Sequence, residues 1–351
     1  MLNKTRVVAY VGSLFVVAAI ILLYVFLGGD HRAKVYKKSR IAMDTVITLT
    51  VVSESERKAE GAIEAGFDEV TYLEGLLSMF LPNSEVSRIS SDAGVKPVKV
   101  SEDTYRLIKK AVEIAGISDG AFDPTIAPLS RLWDFQKKVK PPDEEIKKRL
   151  ALVDYRDIVL DDAARSVMLK RKGMGIDLGA IAKGYVADRV VEVLRARGMT
   201  GGIAAMAGDI KTFGTRPDGS GWRIGIKAPR GEPNGEQSGE QEGLAGVLTL
   251  KGEAVSTAGD YERFFIENGV RYHHLLEPST GYPARDFQGV TVVNQEGQLA
   301  DGLDTAIFVM GRDKGMALVR RLNLKVYVIY SDTTTYISDN LKDSFESTTG
   351  H

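Results

Sequence analysis

The chain of 351 residues has no cysteine, which excludes a disulfide, an iron–sulfur or thiolate zinc site, a cysteine nucleophile and cysteine-linked lipid. It has no excess of either charge, with 46 Lys and Arg against 47 Asp and Glu. That balance argues against generic binding to a phosphate backbone, and no nucleic-acid partner is expected. Histidine is scarce at four residues, and only two of these, His273 and His274, lie away from the chain ends. No Walker phosphate loop and no repeat of 20 to 50 residues occurs. The chemistry left open uses carboxylates, hydroxyls, lysine, one or two histidines, or a borrowed cofactor.

What is present is an ordinary globular balance, 44% hydrophobic and 26% charged, enough to fill a sizeable core. Residues 7–27 (VVAYVGSLFVVAAIILLYVFL) are uncharged and, at about 1.5 Å per helical residue, long enough to cross a hydrocarbon layer of about 30 Å. We read them as a transmembrane anchor. A cleaved signal peptide is the competing reading, but FLGGDHRAKV offers no small-x-small cleavage site. The expected organisation is a cytoplasmic tip and anchor over 1–29, a basic stalk over 30–40, one body over 41–345, and a tail over 346–351. A polar, glycine-rich stretch at 230–243 (RGEPNGEQSGEQEG) reads as a flexible loop within the body.

Within the body, 41–52 reads as a strand, and helical spacing of apolar residues predicts helices over 55–77, 101–115 and about 180–197. Short apolar runs between glycine turns make 201–293 mostly β, followed by a helix at 302–310 and a strand at 325–330. The mixed order of helices and strands predicts an α+β fold, with mixed sheets and flanking helices, rather than a regular βαβ alternation.

Asp301, Asp304 and Thr305 stand at i, i+3 and i+4, so they share one face of a helical turn. Three hard oxygen ligands in one patch suit Mg2+, while capping of the helix start explains the two acids equally simply. Residues 173–184 (GMGIDLGAIAKG) join a strand to a helix and could face an anion, yet the glycines fall as GxGxxxG and not as a dinucleotide fingerprint. There Asp177 either caps or partners Lys183. A histidine of the 273–274 pair beside a phosphate is a natural general base, and on a strand at most one of the two faces a given site. Gly120-Ala121-Phe122-Asp123-Pro124, Ala207-Gly208-Asp209 and Ser256-Thr257-Ala258-Gly259-Asp260 each combine small residues with an acid, as turns and ligand loops both do. Phe80, Phe122, Trp133 and Trp222 could stack on a planar ring or simply pack the core.

Taken in order, Met43-Asp44-Thr45, LLSMFLPNSEVSRIS, DGAFDPTIAPLSRLW, GIDLGAIAKGYVADRV, MAGDIKTFG, AVSTAGDYERFF, HHLLEPSTGYPA and ADGLDTAIFVMG resemble the ApbE family of FAD:protein FMN transferases. The resemblance runs over about 41 to 312 and implies a fold related to the T-fold. It implies that Met43, Phe80, Ala121, Phe122, Asp123, Asp177, Lys183 and Leu276 contact FAD, the substrate. Asp301, Asp304 and Thr305, with the carbonyl of Ala180, would hold Mg2+, and His274 would be the catalytic base. Phe80 stands where tyrosine is common and Glu277 where aspartate or asparagine is common. The implied reaction moves FMN from FAD to a threonine or serine of an acceptor flavoprotein, a subunit of a respiratory or redox membrane complex, and releases AMP. Together with the anchor, the resemblance implies an inner-membrane protein with its catalytic domain on the extracytoplasmic side. The competing readings are a Mg2+-dependent FAD pyrophosphatase giving FMN and AMP, a flavin carrier without catalysis, and a flavinylated electron carrier; for the last, no acceptor motif is found.

Overall fold

The computed structural model describes residues 33–230 and 243–348. The strands are β1 (Lys34–Ala42), β2 (Thr45–Ser53), β3 (Val98–Lys99), β4 (Ile158–Asp161), β5 (Ser166–Leu169), β6 (Gly202–Met206), β7 (Asp209–Phe213), β8 (Trp222–Lys227), β9 (Leu244–Leu250), β10 (Ala254–Gly259), β11 (Phe264–Glu267), β12 (Val270–His273), β13 (Phe287–Asn294), β14 (Lys325–Tyr330), β15 (Thr335–Ile337) and β16 (Phe345–Ser347). The helices are α1 (Glu56–Leu77), α2 (Glu85–Ser91), α3 (Glu102–Ile117), α4 (Ala127–Ser130), α5 (Asp143–Leu150), α6 (Ala182–Ala196) and α7 (Gly297–Arg321).

Eight strands form an antiparallel sheet in the order β1-β2-β6-β7-β10-β13-β14-β15. The alternation of strand side chains sends neighbours to opposite faces. Thus Val51, Val292 and Val328 join a core with α1, α3, α6 and α7, while Val52, Val293 and Ile329 join a second core under the sheet β16-β9-β8. Both faces are covered, which is why the central strands read as continuous apolar runs. A third cluster of Leu129, Trp133, Ile146, Phe265 and Leu276 supports the β11–β12 hairpin.

Local signals explain the helix boundaries. Ser55 and Ser101 accept the backbone N–H of Lys58 and Thr104, so α1 and α3 start one residue after their caps. Residues 41–52, expected as one strand, are instead the end of β1, a turn at Met43 and Asp44 with φ of 52° and 56°, and β2. Residues 34–40, expected as a stalk, lie in β1, where Lys38 and Arg40 pair with Glu60 and Glu64 of α1.

The membrane assignment is corrected. Among the described residues no helix is long and apolar enough to cross a membrane. The longest, α7, carries charges along its length and is broken at Gly311. The single-pass, extracytoplasmic placement therefore has no support from the fold, and residues 7–27, on which it rested, lie outside the described residues, as do 231–242 of the expected loop.

Candidate active site

Two helices brace each other at the site. α7 begins at Gly297, so Asp301 and Asp304 lie inside it and do not cap it. The cap comes from α6: Asp188 accepts the backbone N–H of Gly297 at 2.9 Å and of Gln298 at 3.1 Å. In return Asp301 Oδ2 accepts the N–H of Gly184, in the first turn of α6, at 2.8 Å. Gly184 and Gly297 meet at this crossing, where a Cβ on Gly184 would lie 2.1 Å from the Gly297 carbonyl oxygen. The Gly184 N–H, one of the donors left without an intrahelical partner at the start of α6, is thus satisfied by Asp301.

The sheet adds two residues. A two-residue turn, Ala207-Gly208, with Ala207 at φ 58°, places Asp209 at the start of β7. Ser256 on β10 hydrogen-bonds Asp304 Oδ2 at 2.6 Å and also Asp209. Carboxylate oxygens of Asp209, Asp301 and Asp304, all buried, lie within 4.8 Å of one another. The cation among them is Lys183, bonded to Asp209 and 3.9 Å from Asp301. Burial, then the Asp209 charge, pushes the Asp301 carboxyl up to about 7. Burial, then the Asp301 charge, raises Asp304 well above the carboxylate range. Burial opposes the charge on Lys183, yet Asp209 and Asp301 hold its ammonium above the ordinary lysine value. Three carboxylates around one ammonium, two of them pushed toward the protonated form by burial, make a buried set of hard oxygen donors whose protons a divalent cation would replace. Thr305, on the same face of α7, is half-buried.

The two histidines divide their roles. His273 ends β12, and its ring accepts the Leu275 N–H at Nδ1 (3.3 Å) and faces the Ala284 carbonyl at Nε2 (2.7 Å), edge-on to Phe308. Both ring nitrogens are occupied, and burial lowers its pKa to about 4. His274, just past the strand, gives its backbone N–H to the Arg263 carbonyl at 3.1 Å. Its Nδ1 is enclosed with no hydrogen-bond partner among the described residues. Burial, then the Arg263 charge, lowers its pKa to about 3, with Lys183 also contributing.

The remaining expected residues are held by contacts of their own. Asp123 accepts the Thr125 N–H (2.8 Å), the Thr125 hydroxyl (2.6 Å) and the Tyr155 N–H (2.9 Å), which shapes the 121–125 loop. Asp177 accepts from Ser130 Oγ at 2.9 Å and Gly179 N–H at 2.8 Å, and its own N–H reaches the Pro124 carbonyl. It therefore does not pair with Lys183. Arg131 ties this loop to the Met79 carbonyl, beside Phe80, which is 70% exposed. The Met43 N–H reaches Glu74 of α1. Phe122 and Leu276 are buried in core clusters, while Ala121 and Ala180 are half-buried. Among the described residues no hydrogen bond links Met43 or Phe80 to the carboxylates. Asp209 and Ser256 were missed as site residues, although both sit in small-residue and acid stretches. Asp260, from the same stretch as Ser256, turns away and binds Arg230.

The sequence model of the ApbE family matches residues 43–329. The chain belongs to the ApbE family. Among curated ApbE-type relatives, the FAD:protein FMN transferase of Klebsiella pneumoniae is 35% identical over 291 residues, covering 82% of this chain and 86% of the relative. That of Treponema pallidum is 31% identical over 334 residues, 90% of each. The ApbE protein of Thermotoga maritima superposes with a TM-score of 0.80 at 33% identity, covering 89% of this chain and 99% of that one. The flavin transferase ApbE of Vibrio cholerae gives 0.79 at 27% identity, with the same coverage. The ApbE-like mixed fold with antiparallel sheets is thus shared across these proteins.

Proposed function

We propose that this ApbE-family chain transfers FMN from FAD to a threonine or serine hydroxyl of an acceptor protein, forming a phosphoester and releasing AMP. The observation that carries the reading is the buried cluster of Asp209, Asp301 and Asp304 around Lys183, with His274, whose Nδ1 has no partner among the described residues, within electrostatic reach of that lysine. Asp301, Asp304 and Thr305, with the Ala180 carbonyl, would hold Mg2+, and the cluster of buried carboxyls, whose protons a cation would replace, fits it. When bound, that ion supplies positive charge to the pyrophosphate and its leaving oxygen.

The chain's own residues do the rest. Met43, Phe80, Ala121, Phe122, Asp123, Asp177 and Leu276 contribute the FAD-binding wall, with the exposed Phe80 ring as a stacking face. Lys183, kept charged by Asp209, meets the anionic pyrophosphate. His274 is neutral at physiological pH, as a base must be. Its low affinity for a proton in the free protein rises when phosphate oxygens offset the nearby Arg263 and Lys183 charges. His274 then takes the proton of the acceptor hydroxyl as that oxygen bonds to the FMN phosphorus and the bond to the AMP oxygen breaks.

Intact-mass spectrometry of an acceptor domain incubated with the chain, FAD and Mg2+ tests the reading. An FMN adduct that disappears with Asp301→Ala supports it, and His274→Ala is expected to bind FAD while transferring about 10²- to 10⁴-fold more slowly. Free FMN and AMP with no adduct on any acceptor would instead make the chain a pyrophosphatase.

A further inference from the structure

Helix α6 and strand β7 are joined by two ion pairs in which the signs are exchanged. Lys183 of α6 bonds Asp209 of β7 in the carboxylate cluster, while Asp188 of α6 faces Lys211 of β7, with Lys211 Nζ 3.7 Å from Asp188 Oδ1. The spacings match: five residues rise about 7.5 Å along a helix, and two residues span about 6.8 Å along a strand. Ile210, between the two β7 residues, packs against the second core, so Asp209 and Lys211 both project from the opposite face, toward α6.

The first pair belongs to the carboxylate cluster. The second has no part in the chemistry, and its other contacts are all at the start of α7. Lys211 Nζ donates to the carbonyl oxygen of Gln295, in the turn from β13 into α7. Asp188 accepts the N–H groups of Gly297 and Gln298, whereas the side chain of Glu296, at the cap position itself, caps nothing among the described residues. Lys211 is buried and Asp188 half-buried, so salt screens this pair less than a surface pair.

Helix α7 is thus gripped at two points four residues apart, Gly297 by Asp188 and Asp301 by the Gly184 N–H. Gly184 and Asp188 are also four residues apart, so one face of α6 holds one face of α7. A slip of one residue would carry Asp301 and Asp304 about 1.5 Å along the axis. Mg2+ demands near-ideal octahedral geometry at about 2.0–2.1 Å, which a displacement of that size breaks.

We propose that Asp188 and Lys211 are positioning residues for the metal-binding helix: they hold α7 at the height at which Asp301 lies beside Lys183 and Asp304 beside Ser256, and so set the affinity of the site for Mg2+. Both act through the backbone at the start of α7. The inference rests on the Mg2+ reading given above, and adds to it which residues outside the ligand set decide how tightly the ion is held.

Calorimetric titration of the full chain with Mg2+, without FAD, is the test. Asp188→Ala is expected to weaken binding by roughly 10- to 100-fold, as loss of an outer partner of a metal ligand typically does. Asp188→Asn, whose side-chain carbonyl can still cap, should recover most of that loss, and Lys211→Met should fall between the two. A purely structural role would lower the melting temperature and leave the Kd of the folded protein for Mg2+ unchanged. That result for Asp188→Ala, with a wild-type circular dichroism spectrum, overturns the proposal; if Asp188→Ala does not fold, Lys211→Met decides by the same criterion. The position of α7 is read without metal from hydrogen exchange at the Gly184 amide, expected to be at least tenfold faster in the variant that decides, and unchanged exchange overturns the proposal as well. A wild-type chain that takes up no Mg2+ would be seen before any variant is made, and would remove the metal reading and the affinity claim with it.

Discussion

Gly184→Ala isolates the crossing on which the site depends. The added methyl would lie 2.1 Å from the Gly297 oxygen, 2.5 Å from its carbonyl carbon and 2.8 Å from Asp301 Cβ. The first two are backbone atoms, so no rotamer change relieves the overlap, and α6 and α7 must separate by about 1 Å to restore ordinary contact. The expected costs are about 1–3 kcal/mol for overpacking and about 1.5–3 kcal/mol for the stretched Gly184–Asp301 bond. The better helix propensity of alanine offsets about 1 kcal/mol. The net loss of about 1.5–5 kcal/mol corresponds to a fall in Tm of roughly 2–8 °C for a domain of this size. Scanning calorimetry with and without Mg2+ measures this directly. The wild type should gain about 2.7 kcal/mol from Mg2+ at a hundred times its Kd, and the variant clearly less, because the separation displaces Asp301. A variant with a Tm within about 1 °C of the wild type and the same Mg2+ increment would refute the argument.

Other expectations follow from the same geometry. Gly61→Ala, inside α1 with nothing within 4 Å of the new methyl, should stabilise the fold by about 0.5–1 kcal/mol, measurable by denaturant titration. Mg2+ affinity should weaken as pH falls through about 7, because protons then compete for Asp301, and calorimetry in buffers of different ionisation enthalpy should show proton release on binding near that pH. His273, held at about 4 when folded against 6.5 ordinarily, adds stability that is complete above 6.5 and is lost as pH falls toward 4. The loss reaches about 3 kcal/mol, and His273→Gln should flatten the pH dependence of unfolding in that window.

Sequence reading reached the helices because their signals are local: Ser55 and Ser101 cap α1 and α3, and apolar spacing marks the buried faces. β1 escaped it because Lys34, Lys37, Lys38 and Arg40 hide an edge strand behind the composition of a stalk. Asp301 and Asp304 were legible as one face of a helix, but the extent of that helix was not, since its cap is Asp188 on another helix. Asp209 and Ser256 meet Asp304 across long sequence separations through strand order, which no periodicity reports. His273 and His274 could be separated only by their partners, Ala284 and Leu275 for one and none at Nδ1 for the other.

The main sheet ends in two edges that are protected differently. β15 is three residues long and offers little template, whereas β1 offers nine. Its protection is its run of charged side chains: Lys34, Lys37, Lys38 and Arg40, the last two paired with α1 carboxylates, would have to be brought against their copies before two such edges could pair. Exposed apolar groups on the same hairpin, Ile41 at 84% and Val46 at 56%, would favour such pairing once the charges are gone. Acetylating or neutralising these lysines should therefore leave the melting temperature nearly unchanged and shorten the time to aggregation, so that the chain's colloidal behaviour is set at an edge remote from its chemistry.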